Sequence, residues 1–323
     1  MSRFDFVALG ELLIDFTNDG ESSQGNPMFQ ANPGGAPCNV LAMLQNLGNR
    51  TAFIGKVGKD YFGNMLKERI EQQGIDASGL VLDSEVHTTL AFVNKLPNGD
   101  RDFSFYRKPG ADMMLSADDV RNCSELLENT DVFHFGTLSM TDEPAREATK
   151  LAVETAKKSG AIITFDPNYR EPLWDSVDAA IEAMKYGFEK CDVLKISDNE
   201  IELVTGMSDV CEGAKKIQKD YNIPVVFATL GPDGSIALYK DMEVRKSGYK
   251  NPDTIETTGA GDTFCACAID FIRRNGIDDL TEDGLMECLT FANAAASIIT
   301  TRKGALSVMP TKEEALGFLD GWE

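Results

Sequence analysis

The chain predicts an α/β domain built on a mostly parallel sheet, and two observations carry that expectation. Short apolar runs alternate with amphipathic segments of helical length, the pattern of strands joined by crossover helices. The 323 residues are enough for one large domain with a sizeable core. No polar linker, internal repeat or low-complexity tract divides them, so residues 1–323 read as a single domain.

Taken in order, the expected strands are F-D-F-V-A-L-G, T-A-F-I-G-K-V, D-V-F-H-F, A-I-I-T-F-D, D-V-L-K-I and P-V-V-F-A-T-L. Helices are expected over 61–73 and 144–159, each followed by a glycine, Gly74 and Gly160, which suits the left-handed residue that ends a last turn. One segment departs from the parallel pattern. In T-T-L-A-F-V-N-K-L-P-N-G-D-R-D-F-S-F-Y-R two alternating runs flank Asn98-Gly99, a strong signal for an antiparallel hairpin because both residues tolerate positive φ. Phe103, Phe105 and Arg107 share one face of it by the two-residue period. Such a hairpin either packs on the core as an edge or covers a ligand as a lid.

Composition excludes several classes. A formal charge of −21 and a pI near 4.5 repel phosphate backbones and anionic bilayers, so neither nucleic acid nor membrane is an expected partner. A small anionic ligand would need a local positive pocket. Seven scattered cysteines, odd in number and without C-x-x-C, do not read as a disulfide framework. The N-terminal run is broken by Asp5 and Glu11, and no segment approaches membrane-spanning length, so a soluble, cytoplasmic protein is expected. Only two histidines, His87 and His134, are present, which leaves little material for histidine metal sites or Ser-His-Asp chemistry. His134, inside an apolar strand, reads as structural.

The stretch T-T-G-A-G-D-T-F, 257–264, carries the chemistry. There is no G-x-x-x-x-G-K-[ST], and no complete G-x-G-x-x-G follows an expected strand, so any phosphate cradle must be of another kind. Gly259, Ala260 and Gly261 would present backbone N–H groups at a helix start, where negative charge is favoured. Asp262 has two readings there. It is an N-cap, or it is a base that takes a proton from an attacking hydroxyl while the amides hold a phosphoryl group.

Several blocks in order bear on the choice, and the two roles can coexist. G-E-L-L-I-D-F, P-G-G-A-P-C-N-V, A-F-I-G-K-V-G-K-D-Y-F-G, F-Y-R-K-P-G-A-D-M, F-D-P-N-Y-R-E-P-L-W and T-T-G-A-G-D-T-F together resemble the ribokinase-like carbohydrate kinases over nearly the whole chain, and most closely the fructokinases. The resemblance implies a three-layer α/β/α sandwich with a small β-sheet lid from segments about 12–33 and 88–110. It implies transfer of the γ-phosphoryl of ATP to a sugar hydroxyl, with Asp262 as base and the amides of Gly259, Ala260 and Gly261 as anion hole. Carried over residue by residue, Asp15, Gly34, Gly35, Asn39, Phe105, Arg107, Asn168 and Arg170 would bind the sugar or line the floor near the transferred phosphate. Thr229, Gly231, Gly234 and Asn293 would border the nucleotide, and Glu200 would reach Mg²⁺ through water.

Three positions depart from the family pattern. Ser197 replaces the usual asparagine of N-x-x-E, Glu256 stands where relatives usually carry aspartate near a monovalent-cation site, and Cys38 replaces alanine. Glu256 leaves potassium activation open, and Cys38 reads as packing. The expected reaction is ATP-dependent phosphorylation of D-fructose to fructose 6-phosphate. A 2-keto-3-deoxygluconate kinase is the alternative, because Arg107 and Arg170 could clamp a carboxylate, with other sugar or riboside kinases behind it. A non-catalytic sugar or nucleotide sensor is the reading from a different class. The lid hairpin's apolar face suggests a homodimer, since relatives often pair their lid sheets.

Overall fold

The computed structural model describes residues 3–95 and 101–322, the side chains of residues 94, 95 and 101–103 excepted. The strands are β1 (Phe4–Leu9), β2 (Leu13–Glu21), β3 (Pro27–Gly34), β4 (Thr51–Gly58), β5 (Asp76–Asp83), β6 (Leu90–Lys95) and β7 (Arg101–Tyr106), followed by β8 (Thr130–Gly136), β9 (Ile162–Asp166), β10 (Val193–Ser197), β11 (Val225–Thr229), β12 (Ser235–Tyr239) and β13 (Met242–Lys246). Among the described residues they form two sheets. The large one runs β13-β12-β11-β10-β9-β8-β1-β4-β5, and the small one runs β3-β2-β6-β7. All six strands expected from apolar runs lie side by side in the large sheet and pair in parallel. Within that sheet β12 alone runs against the direction of the other strands.

Helices cover both faces of the large sheet, which explains why its central strands read as mostly apolar runs rather than as alternating ones. In β1, Phe6 and Ala8 join one core layer with the helices Ala36–Asn46, Ala260–Asn275 and Glu282–Ile299. Val7 and Leu9 join the other, with the helices Ala145–Lys158, Val177–Lys190 and Val210–Tyr221. The helices at Tyr61–Gln72 and Ala145–Lys158 end as expected, with Gly74 at φ 84° and Gly160 at φ 82°.

The small sheet has two unlike faces. Strands β6 and β7 pair antiparallel as the hairpin reading requires, while the turn at Asn98-Gly99 lies outside the described residues. On β2 and β6, Phe16 lies opposite Phe92 and their rings stack at 4.8 Å. Phe29 and Tyr106 meet Phe92 edge-on, and Phe62, from the helix beneath, meets Phe16. The other face, by the two-residue period, carries Leu13, Asp15, Thr17, Asn32, Val93 and Phe105 toward the carboxyl ends of the large sheet's strands.

Candidate active site

A cleft of about 390 Å³ opens between that face and the carboxyl ends of β9, β10 and β11. The edge of an α/β sheet at its strand ends is where this architecture presents ligand-binding loops. The cleft brings together Asp15, Gly35, Asn39, Phe105, Asn168, Arg170, Glu200, Thr229, Gly231, Gly259, Gly261 and Asp262 from the sequence expectations.

Asp262 does not cap its helix. The helix runs Ala260–Asn275 with Gly259 at the N-cap in the left-handed region, φ 78°, and no side chain caps it. Asp262 instead accepts from two asparagine side chains on other elements. Asn39 Nδ2 donates to Oδ2 at 2.8 Å and Asn168 Nδ2 to Oδ1 at 3.2 Å. Burial raises the Asp262 carboxyl above its ordinary value, opposed by these amides and by Lys195 and Arg170. Asn39 Oδ1, buried at the same spot, has no partner among the described residues.

The neighbouring turn exposes amides selectively. Ala260 lies off the cleft and its N–H turns back to the Thr257 carbonyl at 3.2 Å, so the trio Gly259, Ala260 and Gly261 reduces to two. Gly259 and Gly261 line the cleft, and their N–H groups make no hydrogen bond among the described residues. Glycine is required at 259 by its φ and by Ala305, whose Cβ would lie 2.8 Å from an added Cβ.

Glu200 organises the loop that brings Asn168 in. Its Oε2 accepts from Ser197 N and Oγ at 2.8 Å, a capping box on Asp198–Thr205, and its Oε1 accepts from Tyr169 N at 2.8 Å. The Ser197 hydroxyl therefore serves Glu200. Asp166 Oδ1 accepts from Asn168 N at 3.1 Å, and Asn168 sits at φ 46°, a conformation asparagine tolerates. Glu256 lines the cleft and accepts from Gly304 N at 2.8 Å.

Four expected ligands are not among the residues that line the cleft. Arg107 is 4% exposed and faces away from the cleft, bonded through Nε to Asp112 at 2.7 Å, Nη1 to Thr141 Oγ1 at 3.0 Å and Nη2 to Leu138 O at 2.8 Å. Its guanidinium is occupied by the protein, which corrects its reading as a sugar ligand. Asn293 is buried behind β12, accepting from Ser235 Oγ at 3.0 Å and donating to the Lys246 carbonyl at 3.4 Å. Gly34 and Gly234 are close-approach glycines: a Cβ at 34 would run into the Asp15 carboxylate, and one at 234 into the Lys246 carbonyl.

With the geometry in place, comparison with known proteins is decisive. The model of the pfkB family of carbohydrate kinases matches residues 4–312. The chain belongs to that family. It is 39% identical over 321 residues to fructokinase-2 of Solanum lycopersicum, covering 98% of this chain and 96% of that one. Fructokinase-1 of Zea mays is 38% identical over 316 residues, 97% of each chain. Among solved structures, a fructokinase from Vibrio cholerae O395 with fructose, ADP and calcium bound superposes with a TM-score of 0.86 at 28% identity, over 98% of this chain and 99% of that one. A fructokinase from Xylella fastidiosa with bound ATP gives a TM-score of 0.86 at 26% identity, over 98% of both chains. The chain is an ATP-dependent sugar kinase of ribokinase-like fold.

Two cleft residues of this carbohydrate kinase escaped the sequence reading. Lys195, 7% exposed on β10, pairs with Asp166 at 3.0 Å. Glu11, 4% exposed between β1 and β2, accepts from Ala36 N at 2.8 Å, and burial raises its carboxyl to about 7. His134 is a structural residue, its Nδ1 3.0 Å from Thr164 Oγ1, with burial pushing its pKa down to about 3. The cysteines are free; Cys38 is fully buried in the core, as its packing role requires.

Proposed function

We propose that this kinase phosphorylates D-fructose at its 6-hydroxyl, with Asp262 as general base. The carrying observation is that the Asp262 carboxylate is held by Asn39 and Asn168 from two other elements, beside two open amides, rather than used as a helix cap. The 6-oxygen lone pair bonds to the γ-phosphorus and the bond from phosphorus to the bridging oxygen breaks. The bond electrons leave with ADP, and the hydroxyl proton passes to Asp262. The Gly259 and Gly261 amides face the charge that develops on the phosphoryl oxygens. Asn39 Oδ1, buried without a partner, accepts a sugar hydroxyl, and Asp15 supplies further acceptors from the small sheet. Phe105 closes over the sugar from the same sheet, and Arg170 stands at the rim of the cleft for phosphate.

Thr229 and Gly231 border the nucleotide end. Among the described residues no cluster of three or more His, Cys, Asp or Glu forms a metal cage. That donor set fits Mg²⁺ carried in on the ATP phosphates with most of its own water, which would neutralise charge on the β- and γ-phosphates. Glu200, on the cleft wall, would hold the ion through that water. The keto-acid reading needs two arginines, and Arg107 is locked in the protein.

The outer face of the small sheet, with Phe29 38% and Tyr106 66% exposed, supports pairing with a second copy through the lid. Sedimentation of the wild type and a Tyr106→Ser variant reads this directly: a dimer weakened by the substitution is expected, and a wild-type monomer rejects it.

The test of function is coupled ADP release with Mg-ATP and a panel of fructose, 2-keto-3-deoxygluconate, ribose, glucose and an aminoimidazole riboside, with and without potassium. Preference for fructose is the expected result. Turnover of the keto acid alone would overturn it, and no turnover with any sugar would count against catalysis.

A further inference from the structure

The cleft is poor in positive charge. Glu11, Asp15, Asp198, Glu200, Glu256 and Asp262 line it, against Arg170 and Lys195 alone among the described residues. A nucleotide triphosphate must enter an acidic site in a chain of net charge −21. Arg170 is exposed, with Nη1 donating to the Tyr169 carbonyl at 2.9 Å. Lys195 is the buried cation of the site.

Its position is costly for the fold alone. In β10, Leu194 and Ile196 are fully buried in one core layer, and alternation turns Lys195 to the opposite side, that of the Ala260–Asn275 helix. A buried ion pair at such a place is often no more stable than apolar residues of the same volume. Among the described residues Lys195 has one ion-pair partner, Asp166 Oδ2 at 3.0 Å, for an ammonium with three N–H groups. Asp166 is itself fixed, since its Oδ1 accepts from Asn168 N. The ammonium lies next to the open turn, for a Cβ on Gly261 would stand 3.2 Å from Nζ.

We propose that Lys195 is a catalytic cation of phosphoryl transfer, its ammonium aimed by Asp166 at an oxygen of the transferring phosphoryl group beside the Gly261 amide. The proposal rests on the kinase reading above. Lys195 keeps its proton throughout. As the sugar oxygen bonds to phosphorus and the bridging bond breaks, the electron pair leaves with ADP, the hydroxyl proton goes to Asp262, and the ammonium balances charge on the phosphoryl oxygens. Burial alone would lower the lysine's pKa, but Asp166 and Glu200 raise it above the ordinary value and hold it charged.

The experiment uses Lys195→Met, Lys195→Arg and the double variant Asp166→Asn/Lys195→Met, which removes both buried charges so that the fold does not hold a lone one. Each is measured for kcat with fructose, for fructose affinity by calorimetry, and for affinity toward Mg-AMP-PNP and Mg-ADP. Loss of the cation should lower kcat about 10³-fold while fructose affinity changes less than about 3-fold. Mg-AMP-PNP should weaken at least about 10-fold and Mg-ADP hardly at all, because only the former carries the third phosphate. Lys195→Arg should recover at least about 10-fold of the lost kcat. The double variant should match wild-type Tm and stay as slow as Lys195→Met. A double variant within about 10-fold of wild-type kcat, or equal weakening of both nucleotides, would overturn the proposal. If the wild type turns over none of the sugars, the kinase reading fails, and the two nucleotide affinities still decide where Lys195 acts.

Discussion

Arg107–Asp112 and Lys195–Asp166 are both buried ion pairs, at 2.7 and 3.0 Å, with every side chain less than a tenth exposed. They differ in what else their groups do. Arg107 also donates to Thr141 and Leu138, and Asp112 accepts from Thr89, so that pair is enclosed by protein partners at the root of the small sheet. Lys195 stands on the cleft wall with a single carboxylate. A buried pair whose cation is also held by two further protein acceptors fixes a fold, while one whose cation has a single carboxylate beside open amides is arranged for an incoming anion. Burial and distance look alike in the two; the inventory of partners separates them.

The largest effect expected from this contrast lies at the cleft. Asp262→Asn removes the proton acceptor and should lower kcat about 10⁴-fold, about 5 kcal/mol of transition-state stabilisation, with little change in Tm or fructose affinity. In the wild type, burial raises the Asp262 carboxyl, and the charged and titratable groups that face it are Lys195, Arg170, Asp166 and the Cys265 thiol. The base is active when ionised, so kcat should fall as pH drops through that raised value. Unchanged turnover in Asp262→Asn would remove the residue from the mechanism.

Arg107→Met is the mirror image. Breaking this enclosed pair leaves Asp112 buried without its counter-ion, at a cost of about 3–5 kcal/mol in urea unfolding. The folded fraction should keep kcat within a few-fold, and the paired variant Arg107→Met/Asp112→Asn should recover much of the stability. A kcat loss that tracks the single variant with full stability would instead return Arg107 to the substrate.

Glu11 lines the cleft and feels both Asp112 and Arg107. Burial raises its carboxyl from 4.5 to about 7, so the folded state holds a proton that the unfolded chain releases. Its contribution is complete below pH 4.5 and is lost as pH rises through 7, about 3 kcal/mol in all. Glu11→Gln keeps an acceptor for Ala36 N and cannot ionise. Urea midpoints at pH 5 and pH 8 should differ less in the variant than in the wild type, and equal differences would show that Glu11 is not the titrating group.

Much of this architecture is legible in sequence, for identifiable reasons. Strands covered on both faces are apolar at consecutive residues rather than alternate ones, so the six central strands stand out as runs. The edge strands β5 and β13 include exposed or half-buried positions and do not. The T-T-G-A-G-D turn announces its open amides through its glycines, but not that Ala260 N–H bends back to Thr257. Arg107 was misplaced because strand period gives the face of a side chain and not its partners, and Asp112 lies five residues on, in a different element. Lys195 carried a usable signal. A lone cation inside D-V-L-K-I, a run otherwise fit for burial, has to be paired or functional.

A third ion pair sharpens the contrast at its weak end. Lys250 and Asp233 approach to 2.8 Å, closer than Lys195 and Asp166, yet their side chains are 71% and 72% exposed. Water solvates both ions as well apart as together, salt screens what attraction remains, and two long side chains must be ordered to hold it. Lys250→Ala should therefore shift Tm by no more than about 2 °C. The shift should shrink further in 0.5 M salt, while that of Arg107→Met persists, because a pair enclosed by protein is screened far less. A Lys250→Ala loss as large as that of Arg107→Met would mean that separation, and not enclosure, ranks the ion pairs of this protein, and the distinction drawn between its two buried pairs would lose its footing.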